Sequence, residues 1–422
     1  MKIHFAFGKG GIEVTLPAGY EYHELRSRVA PALVNARAVI ETALDNPIGC
    51  APLVELARGK RSVAISVCDI TRPVPNIVTL PPLLQRVHQA GIPAQAVTIL
   101  IATGLHRPAT KDEIERIVGP EIASSYRVVN HDARLLAAHR YLGQSRRGTP
   151  AYIDERFMAA DLHVTLGFIE QHLMLGFSGG RKLIVPGLAA KETIKTIHSP
   201  RFMREAMATE GSINNNPLHA ELVEIAALAR HDFLLDVTLT QSREISGVFA
   251  GHPLTAHAEG VRFIIATSLE TLPQPVDAVI TSAAGYPLDL TFYQSIKGVT
   301  AAQHVVKPGG TMLLLSECAE GIGSEEFGRM LATFPGHQPF LDAIRNTPVV
   351  IDQWQLEKLA LTGLKYNILY CTPGVSPSQL GALSGSAFTQ PEEAIAALFN
   401  SLPRGARVAL IPDGPYSFAR AL

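Results

Sequence analysis

Four kinds of feature are scarce in this chain of 422 residues. Cysteine occurs four times, as Cys50, Cys68, Cys318 and Cys371, never in a C-x-x-C pair, so neither a disulfide framework nor a structural zinc site is signalled. Charge is thin at 18% and nearly balanced, with a formal net value of -1, which leaves no basic field for nucleic acid and no polybasic patch for a membrane surface. No apolar run reaches the roughly 18 residues of a spanning helix, and the opening "MKIHFAFGKGGIEVTLP" alternates like a strand and has no signal-peptide core. A soluble cytoplasmic protein is the expectation, with small acidic substrates still possible because they need only local cations.

What is abundant is apolar side chain, 47% of the residues, enough to fill α/β cores. The length exceeds what one core usually serves, so two domains are expected. Short apolar runs closed by turn residues alternate with helical patterns. "SVAISVCDITRP" reads as a buried strand ending in a polar turn stiffened by Pro73, and "NIVTLPPLLQRVHQAG" as a helix closed by Gly91 whose start Pro81 and Pro82 limit. "AVTILIATGLHRP" is a second strand, "TKDEIERIVG" a helix with Thr110 as N-cap and Glu113 three residues on, and "ADLHVTLGFIEQH" a third strand. This alternation predicts βαβ units. The expected fold is α/β with two domains, each a mainly parallel sheet flanked by helices, and the active site in the cleft between them. Pro273 and Pro275 punctuate a change of register, which places the first domain at 1–268 and the second at 276–404; "ARVALIPDGP" could belong to either, and the tail at about 405–422 is expected to pack back onto the first.

Ligands of open parallel sheets sit beyond the carboxyl ends of the strands. There the sequence puts Asp69, Thr71 and Arg72 after the first strand, Thr103, His106 and Arg107 after the second, and Glu170, Gln171 and His172 after the third. Taken singly each has a bland reading: a capped turn for Asp69, a solvated Arg72, structural histidines. Taken together, His106 and His172 at one sheet edge could act as acid and base towards two mirror-image substrates, and Arg72 offers a planar fork to a carboxylate or phosphate.

The segment "GFSGGRKLIVPG" resembles a phosphate loop but lacks its spacing and its Ser or Thr after the lysine. Lys182, between apolar flanks, is therefore either a surface lysine or a partly buried nucleophile able to hold a cofactor, pyridoxal phosphate being one option. His198 in "KETIKTIHSP" reads as a helix-end histidine or a single imidazole ligand to a metal. In "LDLTFYQSIKG" Tyr293 and Lys297 share a helix face beside Gln294, an ordinary half-turn or a set of donors for a carboxylate. Trp354, the only tryptophan, and Phe292 suggest an apolar wall.

The ordered motifs "DITRP", "TGLHRP", "NHD", "GFIEQH", "GFSGGRKLIVPG", "TIKTIHSP", "GYPLD…YQSIKG" and "DQWQ" resemble the nickel-dependent lactate racemase family over nearly the whole chain. That resemblance implies a racemase or epimerase inverting C2 of a 2-hydroxy acid by reversible hydride transfer. It implies a nickel-pincer nucleotide, a pyridinium mononucleotide with sulfur-bearing arms, covalently attached at Lys182 and made by separate maturation enzymes. On the matching motifs His106 and His172 are the acid/base pair. Asp69, Ile70, Thr71, Arg72, Gly179, Gly180, Lys182 and His198 lie against the cofactor, with His198 the metal ligand. Arg72, Tyr293, Gln294, Lys297 and Trp354 meet the substrate. The glycines are expected to let the backbone approach the nucleotide. Two readings stay open beside it: a lysine-anchored pyridoxal phosphate racemase, for which no partner to the pyridine nitrogen is evident, and a non-catalytic protein that captures a hydroxy acid between two lobes.

Overall fold

A computed structural model describes residues 1–72, 74–381 and 386–422; Pro73 of the first polar turn lies outside the described residues. The chain packs as two units. One comprises Val29–Ile197 and Met207–Thr267, the other Met1–Arg28, His198–Ala206 and Ser268–Leu422.

The first unit is built on a six-stranded sheet in the order Ile245–Gly251, Phe233–Leu239, Leu162–Phe168, Val63–Cys68, Val97–Ala102, Arg127–Asn130. All neighbours are parallel except the edge hairpin formed by Phe233–Leu239 and Ile245–Gly251. Val63–Cys68 and Leu162–Phe168 are buried at every position. Strands covered on both faces must be apolar on both, which is why they read as unbroken apolar runs. From Val63–Cys68 the chain first adds strands on one side and later adds Leu162–Phe168 on the other, so the strand order reverses between these two. That reversal opens a crevice at their carboxyl ends.

Two helices of this unit test the sequence reading. Lys111–Val118 begins with the expected capping box, the Thr110 hydroxyl accepting from the Glu113 N–H while the Glu113 carboxylate accepts from the Thr110 N–H. Asn76–Gln89 departs from expectation: Pro81 and Pro82 lie inside the helix and do not limit its start. The carbonyls that lose an amide partner to them, four residues back, belong to Ile77 and Val78, both on the exposed side. There solvent can take the place of the missing donor.

The second unit carries another six-stranded sheet, in the order Ser386–Phe388, Asn367–Cys371, Val306–Leu315, Val276–Ser282, Arg407–Ile411, Glu21–Glu24, parallel throughout. Two segments belong here that the linear boundary did not assign. Residues 1–28, read as part of the first domain, supply the edge strand Glu21–Glu24, paired with Arg407–Ile411 in the register Glu21 to Arg407. Their hairpin Lys2–Phe5 and Ile12–Thr15 buries Ile3, Phe5 and Val14 with Ile280, Leu313 and Leu410. Alternation shows that such segments are strands but not which sheet they join. The 405–422 tail places Arg407–Ile411 inside this sheet and pairs Phe418–Ala421 with Leu269–Leu272. The excursion at 198–206 is tied to the helix Gln353–Gly363: Lys358 Nζ donates to the Met203 carbonyl at 2.8 Å and Arg204 Nε to Glu357 Oε1 at 2.7 Å. His198 therefore travels with this unit, while Lys182 belongs to the other.

Candidate active site

In the first unit three adjacent strand ends build one polar network. Asp69, just after Val63–Cys68, is buried, and its Oδ2 lies 2.7 Å from His106 Nδ1 while its Oδ1 accepts the Thr71 hydroxyl at 2.6 Å. Burial by itself would raise the Asp69 carboxyl; the hydrogen bonds from His106 and Thr71 and the nearby Arg72 charge outweigh it and hold the group below its ordinary range. Asp69 therefore stays ionised and takes the proton-bearing Nδ1 of His106. The His106 side chain is 59% exposed against 7% for Asp69, so a buried carboxylate orients a ring that solvent reaches. Arg72 NH1 donates to Glu170 Oε1 at 2.8 Å, linking the first and third strand ends.

His172 sits on the antiparallel pair Gln171–His172 and Gly176–Phe177. The backbone N–H groups of Met174 and Leu175 donate to its Nδ1 at 3.4 and 3.3 Å. Gly176 closes this turn with φ +76°, and a Cβ there would stand 2.1 Å from the Ser212 carbonyl oxygen, so the turn admits only glycine.

Lys182 is half-buried on the short 3-10 turn Gly180–Leu183. Beneath it lies a buried charge system. The Gly180 N–H donates to Asp236 Oδ2 at 2.8 Å, and a Cβ on Gly179 would come within 2.5 Å of that same oxygen. The protein's own Asp236 side chain thus demands glycine at 179, before any ligand does. Arg181 points inwards and donates to the carbonyls of Leu175, Phe177, Ser178 and Gly179 at 2.9–3.4 Å, with His257 Nε2 2.8 Å from its guanidinium. Burial pulls Arg181 down to about 10 and pushes Asp236 up to about 7. Burial, then the Arg181 charge, lowers His219 to about 3 and His257 well below its usual value, so both rings are neutral. Burial also drives the Cys68 thiol up to about 12, with Arg72 and Lys182 opposing and Asp69 and Asp236 adding. The charges of Lys182, Arg72 and Asp69 thus converge on the end of one strand.

Apart from Arg72, the residues expected to meet substrate lie in the second unit. Tyr293, Gln294 and Lys297 are half-buried on the helix Phe292–Ala302. The Tyr293 hydroxyl is turned towards Asp352 and Trp354, and burial, then the Asp352 charge, holds it well above its ordinary range. Asp352, at φ +69°, also accepts the Ser324 hydroxyl at 2.6 Å. Gln294 Oε1 is buried with no hydrogen-bond partner among the described residues. The His198 ring packs against Trp354 with centroids 4.6 Å apart. Trp354 is half-buried, as a wall residue should be, but Phe292 is fully buried and packs on Phe327 and Tyr370. Phe292 is core and lines nothing.

Asp69, Thr71, Arg72 and His106 are thus in one connected network, and Trp354, Tyr293 and His198 in another. Ile70 is exposed and contributes no polar group. Arg181, Asp236, His257 and Asp352 escaped the sequence reading as site residues, and Glu170 was placed at a strand end without a role. A signal existed for Asp236, an acid inside the apolar strand "FLLDVTL", and for Asp352 in "DQWQ". Arg181 was visible only as an interruption before Lys182.

Residues 7–211 match the family model described as the lactate racemase N-terminal domain and residues 272–417 the one described as the lactate racemase C-terminal domain. The chain is 34% identical to a lactate racemase of Thermoanaerobacterium thermosaccharolyticum over 418 residues, 98% of this chain and 97% of that one. It is also 34% identical to a lactate racemase of Lactiplantibacillus plantarum over 385 residues, 90% of each. The solved lactate racemase apoprotein from the first organism superposes with a TM-score of 0.92 at 33% identity, covering 100% of both chains. A Thermotoga maritima protein shares the fold alone, at a TM-score of 0.66 and 15% identity over 92% of this chain and 98% of that one. With both family models and both relatives in agreement, the chain belongs to the lactate racemase family of isomerases.

Proposed function

We propose that this protein inverts C2 of lactate or a close 2-hydroxy acid, using a nickel-pincer nucleotide joined to Lys182, with His106 and His172 as the acid/base pair. The observation that carries the reading is the Asp69–His106 pair, which joins the carboxyl ends of two neighbouring strands beside the reversal point, with Arg72 and Lys182 near the same strand end. It needs the cofactor to be made by separate enzymes and works in the cytoplasm; no helix among the described residues is long and apolar enough to cross a membrane.

The donor set suits that group. Among the described residues no three His, Cys, Asp or Glu side chains gather as a metal site. A metal at His198 would then draw its other donors from a bound molecule, as sulfur arms on a nucleotide would supply. Lys182, half-buried beyond the glycines, is the amine for attachment, and the loop 69–72 with Gly179 and Gly180 would lie against the nucleotide. The buried Gln294 amide, whose oxygen has no partner among the described residues, supports a ligand at the helix Phe292–Ala302, where its N–H would donate to the hydroxy-acid carboxylate. Arg72 and Lys297 are the cations for the carboxylate, and Tyr293 with Trp354 contributes ring surface.

When bound, the nucleotide would accept the C2 hydrogen as hydride and return it to the other face. The protein handles the remaining proton. His106, held by Asp69, takes the hydroxyl proton at Nε2, and His172 returns one to the oxygen of the inverted product; the mirror-image substrate reverses the two roles. The cations keep the carboxylate in place while the flat keto acid presents its second face.

The test is inversion of enantiopure lactate by cofactor-loaded protein in heavy water. The inverted product is expected to keep its C2 hydrogen, because hydride does not exchange with solvent as a lifted proton does. Substantial deuterium at C2 in early turnover, as a pyridoxal-type racemase would give, or full activity without nickel or an adduct on Lys182, would overturn the reading.

A further inference from the structure

The two histidines are held by opposite partners. His106 Nδ1 faces a buried carboxylate at 2.7 Å, which can only accept; the ring therefore carries its proton on Nδ1 and, when neutral, presents a bare Nε2. His172 Nδ1 faces the N–H groups of Met174 and Leu175, which can only donate; this nitrogen is bare and the ring's proton sits on Nε2. From this geometry we infer that the pair is not symmetric: in the resting protein His106 is ready as a base, whereas His172 is a hydrogen-bond donor that must give up its backbone partners before it can act as base or acid. The inference builds on the proposed acid/base roles, and makes Asp69 a positioning residue for His106.

The proton inventory makes the asymmetry concrete. To take a hydroxyl proton at Nε2, His172 must first move its own proton to Nδ1. To give a proton from Nε2 and remain a neutral ring, it must first gain one at Nδ1. Either route points an N–H of the ring at the N–H groups of Met174 and Leu175. His106 faces no such penalty, because its Nδ1–H stays hydrogen-bonded to the Asp69 carboxylate in both states.

A kinetic consequence follows from mirror symmetry. Enantiomers of lactate have equal free energy in water, so kcat/KM must be equal in the two directions at any pH. The asymmetry can appear only as unequal KM with proportionally unequal kcat. The enantiomer whose hydroxyl meets His106 binds the resting form and has the lower KM. The loss of two long hydrogen bonds sets the ratio at roughly three- to tenfold.

The ring tautomers are read directly, in cofactor-free protein, by long-range proton–nitrogen correlation spectra of nitrogen-15 histidine, with His106→Asn and His172→Asn assigning the signals. Protonated Nδ1 on His106 and protonated Nε2 on His172 are expected. In Asp69→Asn the Thr71 hydroxyl keeps the amide oxygen on its own side, so the amide N–H turns to His106 and should switch that ring to protonated Nε2, leaving His172 unchanged. The same tautomer on both rings of the parent, or no switch in the folded variant, overturns the inference, as does equal KM for the two lactates in loaded enzyme. If loaded enzyme inverts no hydroxy acid, the proposed function fails, while the tautomers still decide how the two rings are held.

Discussion

Two polar networks lie a few residues apart in the first unit and obey different rules. The outer one joins Asp69, Thr71, His106, Arg72 and Glu170 at the strand ends, a buried Asp69 among partly exposed side chains and paired charges. The inner one joins Arg181, Asp236 and His257 beneath the lysine turn, in full burial. In the outer network a partner overcomes desolvation and Asp69 stays ionised. In the inner network desolvation wins: Asp236 rises to about 7 and the histidines lose their protons. Charge at the strand ends is held by partners and solvent, and charge buried beneath the lysine turn is driven towards neutrality. The brace in turn gives the turn carrying Lys182 its shape.

Removing the inner cation should break this contrast most severely. Arg181→Met strips the guanidinium donors from the Leu175 and Phe177 carbonyls, at about 1–3 kcal/mol each, while Ser178 keeps His257 Nε2 and Gly179 the Lys182 N–H; a loss of several kcal/mol is expected, seen as a large fall in the urea midpoint or failure to fold. A variant as stable as the parent would show that the guanidinium braces nothing.

A gentler probe is Asp236→Asn. Folded Asp236 keeps its proton to about pH 7, whereas the unfolded chain releases it near 3.8. Its contribution to stability is therefore fully present below pH 3.8, lost as the pH rises to about 7, and flat above. Full expression of that difference is worth roughly 4 kcal/mol. Asparagine can still accept from Gly180, so the difference in stability between parent and variant should favour the parent at low pH and shift towards the variant by pH 8. A difference independent of pH would mean that Asp236 does not titrate in this window.

The smallest effect belongs to the outer network. Glu170→Gln breaks an ion pair in which both side chains are about a third exposed, and such pairs contribute about 1 kcal/mol or less. Melting should hardly move, even though Arg72 is released. A loss comparable to that of Arg181→Met would erase the distinction between the two networks.

Periodicity and turn chemistry made the strands, the Thr110 cap and the polar strand ends that carry Asp69 and His106 legible from the residues, because these are local: an apolar run, a capping box and a polar strand end each carry their own signature. The ordered motifs carried the family in the same way. Pairings distant in sequence could not be read. Nothing in "EYHE" says that it pairs with "RVAL" nearly four hundred residues on, nor does "HSPRFM" say that it joins the helix at 353. The prolines at 81 and 82 were misread because exposure, which only packing decides, makes a lost helix bond tolerable. The partners of the two histidines were equally hidden: whether a ring nitrogen meets a carboxylate from another strand or an amide of its own turn depends on where folded backbone brings each group, and that placement sets which nitrogen holds the proton.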